Sequence, residues 1–209
     1  MTQIEAVVFD LGGVLIDWNP RYLYRKIFSD DNEMEYFLRE ICSLEWNERQ
    51  DEGRDWALAV TDLSQAHPNY REQIFAYHER WTEMIKGEFA GTVEVLKSLK
   101  AKGLPLFALS NWSEEKFPYA LSRFDFLRQF NDILLSGRER LKKPDSRFYR
   151  LLIERHALDP SRTVFIDDLA RNTEAAEKLG FQTVHFRSPD QLREALAELG
   201  LLRVCLTDP

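Results

Sequence analysis

The stretch Ile4-Glu5-Ala6-Val7-Val8-Phe9-Asp10-Leu11-Gly12-Gly13, near the start of the chain, decides the fold. Its apolar half has the length of a buried strand, and its glycines permit a tight turn directly after the carboxylate. In α/β proteins, polar residues at the tips of such strands face the crevice where ligands bind. Asp beside Gly is also ordinary turn composition, so the meaning of Asp10 depends on the rest of the chain.

Further apolar runs of strand length recur along the chain, and segments with helical periodicity separate most of them. This alternation predicts a mostly parallel sheet with helices on both faces. The fold class is therefore α/β, a doubly wound and Rossmann-like domain. The predicted strands are 4–9, 104–109, 132–135, 163–166 and 182–186, and the helical segments include 91–102, 146–155 and 173–180.

One interval, 17–86, breaks this alternation. It contains several aromatic-rich amphipathic stretches and no convincing buried strand. We therefore expect an inserted α-helical cap of about four helices over 17–86, and an α/β catalytic core formed by 1–16 and 87–209. Because the insertion follows Asp10 so closely, it is well placed to act as a lid. A helical subdomain that only stabilises one edge of the core is the alternative.

The composition is that of a globular chain: 44% of the 209 residues are hydrophobic and 30% are charged, which allows a sizeable core. A net charge of −7 disfavours nucleic acid or an anionic membrane as a partner. No stretch has the length of a transmembrane helix, and the N-terminus does not resemble a signal peptide. We expect a cytoplasmic protein, either a monomer or a homodimer.

Polar side chains follow the other predicted strands as well. Since the carboxyl ends of parallel strands converge on one crevice, we expect these side chains to meet there. A carboxylate can accept a phosphoryl group, hydroxyl, amide and ammonium groups can hold its oxygens, and clustered carboxylates can bind a hard divalent cation. The residues are, in chain order, Asp10, Ser110, Asn111, Lys143, Asp167 and Asp168.

Four segments of the chain resemble the four sequence motifs of the haloacid dehalogenase-like hydrolase superfamily. The resemblance spans about 4–190, and it is strongest to the helical-cap subgroup that contains glucose-1-phosphate phosphatases and the N-terminal phosphatase domain of soluble epoxide hydrolases. It implies a Mg²⁺-dependent phosphatase that hydrolyses a small phosphorylated metabolite, a sugar phosphate being one candidate, through an aspartyl-phosphate. The four segments are Asp10-Leu11-Gly12-Gly13-Val14, Ser110-Asn111, Lys143-Pro144 and Phe165-Ile166-Asp167-Asp168.

The resemblance also implies a role for each residue that touches the phosphoryl group. Asp10 would be the nucleophile that attacks phosphorus. Ser110 would hydrogen-bond the transferring group, assisted by the backbone or the amide of Asn111. Lys143 would pair with the phosphate and with Asp10, and would offset the charge that accumulates in the transition state.

The same resemblance implies a Mg²⁺ site. Asp10, Asp168 and the backbone carbonyl of Gly12 would be its ligands, and Asp167 would be either a further ligand or the partner that orients the lysine. We expect Asp168 to be the chief ligand beside Asp10, because Asn172 follows it by four residues, as the downstream partner does in the family.

Gly12 departs from the family pattern. Phosphatases of this superfamily commonly carry a second Asp there, which protonates the leaving oxygen and later deprotonates the attacking water. Proton transfer of this kind is typically worth about 10² to 10⁴-fold. Either the leaving group needs little help, as the anomeric oxygen of a sugar 1-phosphate would, or a carboxylate of the cap takes over. The candidates in the cap are Asp17, Glu45, Glu48, Asp51 and Glu52.

Three residues of the predicted cap are candidates for contact with the substrate. Trp18, Trp46 and Asn47 lie in aromatic-rich stretches, and flat aromatic rings suit the faces of sugars. Packing inside the cap is the alternative role for each of them. Trp112, which follows Ser110-Asn111 in the core, is a further candidate for contact with the substrate.

Two other functions compete with a phosphatase. A 2-haloacid dehalogenase would also keep an Asp nucleophile without the second Asp, but it needs no metal, and an acidic pair at 167 and 168 would then serve no purpose. A catalytically silent binding or regulatory domain would explain Gly12 as a mark of lost activity. Against this last reading, Asp10, Ser110, Lys143 and Asp168 are all present.

Overall fold

Seven strands, numbered in chain order, define the architecture over residues 3–203, which the computed structural model describes. Five of them form one sheet in which every neighbouring pair is parallel, and two form a separate ribbon. The strands are β1 (Ala6–Phe9), β2 (Ile16–Trp18), β3 (Ile85–Glu88), β4 (Leu106–Ser110), β5 (Asp132–Leu135), β6 (Thr163–Asp167) and β7 (Gln182–His185).

The central sheet has the order β5-β4-β1-β6-β7, which confirms the doubly wound α/β prediction. All residues of β1, β4 and β6 are buried, as expected for strands that are covered on both faces. Alternate residues of β1 enter different cores: Val7 and Phe9 belong to a large hydrophobic cluster, whereas Ala6 and Val8 belong to a smaller one. The sheet therefore separates two packed layers.

Eleven α-helices lie within the described residues, and none of these is both long and apolar enough to cross a membrane. Short 3₁₀ segments span 68–70, 81–84, 125–129 and 160–162, and a π-helical turn spans 37–41. The helices are α1 (Arg21–Tyr24), α2 (Asp31–Tyr36), α3 (Leu44–Asp51), α4 (Trp56–Ala66), α5 (Arg71–Glu79), α6 (Ala90–Ala101), α7 (Phe117–Arg123), α8 (Ser136–Glu139), α9 (Ser146–His156), α10 (Ala170–Glu177) and α11 (Pro189–Glu198).

Three helices correspond to the segments predicted from periodicity. The predicted helices 91–102 and 146–155 match α6 and α9 within one residue at each end. The segment 173–180 is α10, which begins three residues earlier because the side chain of Asp167 accepts a hydrogen bond from the backbone of Leu169 and turns the chain directly after β6. The last residues of the predicted core segment, 204–209, lie outside the described part of the chain.

The sequence predicts no convincing buried strand in 17–86, and the two short strands at the ends of this interval are only partly buried. Strand β2 pairs antiparallel with β3, with Ile16 opposite Glu88 and Asp17 opposite Gly87. The two strands have only three and four residues, too few to show an alternating pattern. They form a ribbon where the chain leaves the core and returns to it, so this ribbon straddles the predicted domain boundary.

The helices between these strands pack into the core rather than apart from it. The large hydrophobic cluster runs without interruption from Phe9 in the sheet to Tyr24, Trp56 and Tyr77 in the cap. Inside the cap, the rings of Trp56 and Tyr77 are stacked with their centroids 5.9 Å apart. Cap and core therefore share one apolar interior.

A buried hydrogen bond between the cap and the core provides a test of this packing. The indole Nε1 of Trp56 donates to the Ser113 hydroxyl at 3.0 Å, and both side chains are buried. We expect a double-mutant cycle of Trp56→Phe and Ser113→Ala to give a coupling of about 0.5–1.5 kcal/mol in the free energy of unfolding, the usual net value of such a bond. Urea denaturation of the four proteins measures it, and a coupling near zero would contradict the contact.

Candidate active site

Asp10 extends directly from the tip of the central strand. Its backbone N–H donates to the carbonyl of Ile166 at 2.8 Å, so the ladder with β6 continues one residue beyond β1. Its Oδ1 accepts hydrogen bonds from the Leu11 backbone at 2.6 Å and from the Ser110 hydroxyl at 2.9 Å. These bonds fix the carboxylate in one orientation and leave Oδ2 for other partners.

The two glycines after Asp10, Gly12 and Gly13, differ in how much space a side chain would have at each position. Gly13 has a φ of 75°, and a Cβ there would collide with the carboxylate of Asp168. A Cβ at Gly12 would meet no atom within 4 Å. Gly13 is therefore required for the close approach of Asp168, whereas the space beside Gly12 could hold a side chain.

Lys143 lies between two carboxylates. Its Nζ is 2.8 Å from Oδ2 of Asp10 and 2.7 Å from Oδ2 of Asp167, and the residue is only 1% exposed. The side chain of Asn111 fixes the lysine backbone, because its Oδ1 accepts from the Lys143 N–H at 2.8 Å and its Nδ2 donates to the Lys143 carbonyl at 3.0 Å. The amide of Asn111 is thus engaged, and its backbone remains available to a phosphoryl group.

The acidic pair at the end of β6 divides into two roles. Asp167 is fully buried, and its Oδ1 accepts from the Leu169 backbone and from the Asn172 amide, both at 2.9 Å, while its Oδ2 faces Lys143. Asp168 is partly exposed and lines the cleft. The spacing of four residues suggests that Asn172 supports Asp168. In the structure, its amide hydrogen-bonds Asp167 instead. The geometry favours Asp167 as the residue that orients Lys143.

The electrostatics of the site reflect an excess of negative charge. Burial raises the pKa of Asp10 from 3.8 to about 7, Lys143 opposes this shift, and Asp167 and Asp168 add to it. Burial, followed by the charge of Asp167, raises the pKa of Asp168 as well. Burial alone would lower the pKa of Lys143, but its two carboxylate partners raise it. The single ammonium group of Lys143 therefore offsets only part of the negative charge of the three acids.

The three acids are close enough to hold a metal ion. One oxygen from each of Asp10, Asp167 and Asp168 lies within 4.8 Å of the others. Carboxylate oxygens are the ligands that hard divalent cations prefer, and Mg²⁺ is usually bound by one or two carboxylates together with substrate phosphate. The carboxylate of Asp168 occupies space that a side chain at Gly13 would fill, and its position there fits such a cation.

A cleft of about 270 Å³ lies over this cluster, between the cap and the core. Trp18 and Asn47 line it, as the sequence predicts for contacts with the substrate. Trp46 is packed inside the cap instead, with its ring edge-on to Trp56 and Tyr77 at centroid distances of 5.8 and 5.2 Å. The residues that line the cleft are Asp10, Gly12, Gly13, Trp18, Leu44, Asn47, Glu48, Asp51, Trp81, Asn111, Trp112, Lys143, Asp168, Leu169, Arg171 and Asn172.

Four residues of the cleft wall are not predicted from sequence: Leu44, Trp81, Leu169 and Arg171. Arg171 lies in the first turn of α10, three residues after Asp168, so its position after the fourth motif was an available signal. Leu44 and Trp81 carry no local signal, because each belongs to an amphipathic stretch whose direction depends on how the cap helices pack.

A buried carboxylate at the tip of a central parallel strand, beside a buried lysine and beneath a helical cap, is the arrangement of a class of α/β hydrolases. Comparison with known proteins agrees with this class. The family model for haloacid dehalogenase-like hydrolases matches residues 4–180. The chain belongs to this family of hydrolases, which confirms the resemblance to the superfamily seen in the sequence.

Relatives within the family include both phosphatases and dehalogenases. The phosphorylated carbohydrates phosphatase of Thermotoga maritima is 25% identical, over 87% of this chain and 84% of its own. An (S)-2-haloacid dehalogenase of Pseudomonas putida is 29% identical, over 87% of this chain and 83% of its own. A Bacteroides thetaiotaomicron enzyme of the same family, solved with magnesium and inorganic phosphate, superposes with a TM-score of 0.66 at 23% identity, covering 88% of this chain and 95% of that one.

The raised pKa of Asp10 predicts a pH-dependent effect on stability. A carboxyl whose pKa rises to about 7 on folding contributes stability at low pH that is lost as the pH rises through that value. As the pH rises from about 5 to about 8, the wild type should therefore lose on the order of 2 kcal/mol more of its free energy of unfolding than Asp10→Asn does. Urea unfolding in EDTA measures this difference, and a gap that does not change with pH would contradict it.

Proposed function

We propose that the protein is a Mg²⁺-dependent phosphatase that hydrolyses a small phosphorylated metabolite through an aspartyl-phosphate. The observation that carries the proposal is the arrangement of Asp10, Lys143 and Asp168, which brings a nucleophile, an ammonium group and a second carboxylate into one cleft. A phosphoryl group needs these three components: an attacking oxygen, a fixed positive charge and a ligand for a divalent cation.

In this mechanism, Oδ2 of Asp10 attacks phosphorus while Ser110 and the Leu11 backbone hold Oδ1 in place. Lys143 stabilises the negative charge on the transferring oxygens, and Asp167 keeps its ammonium group in position. Asp10, Asp168 and the Gly12 carbonyl would hold Mg²⁺, which offsets phosphoryl charge when it is bound.

The upper part of the cleft suits a sugar. The indoles of Trp18, Trp81 and Trp112 form its apolar wall. The Nε1 atoms of Trp18 and Trp112 and the Oδ1 of Asn47 are buried without a hydrogen-bond partner in the described residues. A polyol can both accept from such N–H groups and donate to such an oxygen. The relative that acts on phosphorylated carbohydrates supports the same choice, and we expect such a metabolite in the cytoplasm.

A 2-haloacid dehalogenase is the second candidate. Relatives with that name are up to 29% identical over most of the chain, and Gly12 removes the second Asp that a phosphatase commonly uses. Asp168 favours the phosphatase, because an additional carboxylate beside the nucleophile would repel a carboxylate substrate. A catalytically silent domain is the weakest candidate, since Asp10, Ser110, Lys143 and Asp168 all meet in one place.

Phosphate release from a panel of sugar and alkyl phosphomonoesters tests the proposal. We expect turnover in Mg²⁺, none in EDTA, and recovery when Mg²⁺ is restored. Asp10→Asn should reduce turnover to background, because an amide cannot form the acyl phosphate. Stopped assays for inorganic phosphate measure this, and mass spectrometry of the Mg²⁺-bound wild type with beryllofluoride checks that Asp10 forms the phosphate-like adduct.

Halide release from 2-haloacids in EDTA is the matched control. Metal-independent halide release, without phosphate release from any ester of the panel, would contradict the phosphatase and assign the chain to the dehalogenases. Activity of Asp10→Asn on the phosphomonoesters would contradict the aspartyl-phosphate route.

A further inference from the structure

The missing proton donor at Gly12 leaves a chemical gap that the cap can fill. Departure of an alcohol from phosphorus requires a proton for its oxygen unless the alcohol is unusually acidic. The space beside Gly12 is open, so no other side chain occupies the position of the missing acid. The donor must therefore approach from elsewhere in the cleft wall.

Three of the five cap carboxylates are not placed to donate this proton. Asp17 is on strand β2 and accepts the Tyr22 hydroxyl through both of its oxygens, at 2.9 and 3.0 Å. Glu45 has a side chain that is 78% exposed and pairs with an arginine of its own helix. Glu52 pairs with Lys142 at 3.5 Å and is outside the cleft wall formed by the described residues.

Glu48 also lines the cleft, but both of its carboxylate oxygens are paired with cations of the core. One oxygen faces the guanidinium of Arg171 and the other faces the ammonium of Lys142, the latter at 3.5 Å. Glu48 therefore links the cap to the core and does not act as an acid.

Asp51 differs from the other four in its surroundings. It is at the C-terminal end of α3 and lines the same cleft as Asp10. Within residues 3–203, no lysine, arginine or histidine nitrogen lies within 4.0 Å of its carboxyl group; instead, the Asn47 amide donates to its Oδ2 at 2.7 Å. Its backbone carbonyl accepts the Ser136 hydroxyl of the core at 2.5 Å, which fixes the end of α3 against the start of α8.

The groups around Asp51 favour its protonated form at neutral pH. Burial is the largest cause and raises its pKa from 3.8 to about 8, and the charge of Glu48, one turn earlier, adds to this. Hydrogen bonds from Ser113 and Asn47 and the charge of Lys142 oppose the shift. From α5, the buried phenol of Tyr77 also faces this carboxyl.

We propose that Asp51 is the proton donor for the leaving group, supplied by the cap in place of the acid that Gly12 lacks. When Asp10 attacks, the bond from phosphorus to the leaving oxygen breaks, its electron pair stays on that oxygen, and the oxygen takes the Asp51 proton. An alcohol departs, leaving an aspartyl-phosphate and an Asp51 carboxylate. Water then attacks phosphorus and gives a proton to Asp51. The bond between phosphorus and the Asp10 oxygen breaks, its electron pair returns to Asp10, and phosphate leaves.

This role rests on the proposed phosphatase function, and a series of leaving groups tests it. For Asp51→Asn, kcat/KM should fall by about 10² to 10⁴-fold on alkyl phosphates such as glycerol phosphate, whose oxygen leaves as a strong base. On p-nitrophenyl phosphate, whose phenolate leaves without help, it should stay near the wild-type value. The retained activity on this ester also shows that the variant is folded.

The pH profile gives a second readout, which a structural role would not produce. In the wild type, kcat/KM for alkyl phosphates should decline above about pH 8, as Asp51 loses its proton. Asp51→Asn should lose this limb of the profile, and Asp51→Glu should restore part of the activity on alkyl phosphates.

Position 12 allows a rescue experiment. An aspartate placed there has room for its Cβ, so Gly12→Asp in the Asp51→Asn background should regain activity on alkyl phosphates and gain little on p-nitrophenyl phosphate. Glu52→Gln is the matched control, because it removes the next carboxylate of the chain, which is outside the cleft wall. This control should keep the wild-type dependence on the leaving group.

The outcomes separate the two proposals. An equal loss of kcat/KM on every ester in Asp51→Asn would show that Asp51 only positions the cap, and would overturn its role as an acid while the phosphatase stands. If the wild type released no phosphate from any ester, including p-nitrophenyl phosphate, the proposed function would fail first and the role of Asp51 with it.

Discussion

The buried ammonium of Lys143 is the interaction on which the site depends. It contacts Asp10 at the tip of β1 and Asp167 at the end of β6, so it joins two neighbouring strands to the loop between α8 and α9. A buried ion pair costs much of its attraction in desolvation, but removal of one partner leaves an uncompensated charge, which is far more costly. The three residues therefore form one electrostatic unit. Its remaining negative charge, with Asp168, makes the cleft receptive to a cation.

Much of the core of this site could be predicted from the sequence, because the order of parallel strands constrains where their tips lie. Asp10, Ser110 and Asp167 each follow a continuous apolar run, and the structure places those runs side by side as β1, β4 and β6. Parallel strands that are buried on both faces appear in a sequence as near-continuous apolar runs. The convergence of their ends then follows from the fold class itself.

Other features depend on contacts that a linear pattern does not encode. Asp167 and Asp168 are adjacent in the chain, so a spacing of four or five residues to Asn172 could not tell which of them it contacts. The sequence places Trp46 in an aromatic-rich stretch, but only the packing against Trp56 decides that its ring lies inside the cap. The β2–β3 ribbon is too short to produce a period.

That ribbon also determines how the cap is joined to the enzyme. Since Ile16 pairs with Glu88, the chain leaves the core and returns to it at points only one strand spacing apart, about 5 Å. The segment between these two strands is an insertion with fixed ends. The entropic cost of closing such an insertion grows only slowly with its length. Residues can be gained or lost within the cap without moving the sheet or the strand tips. In this chain, the cap residues that line the cleft can thus vary while Asp10, Ser110 and Asp167 keep their positions at the ends of the sheet strands.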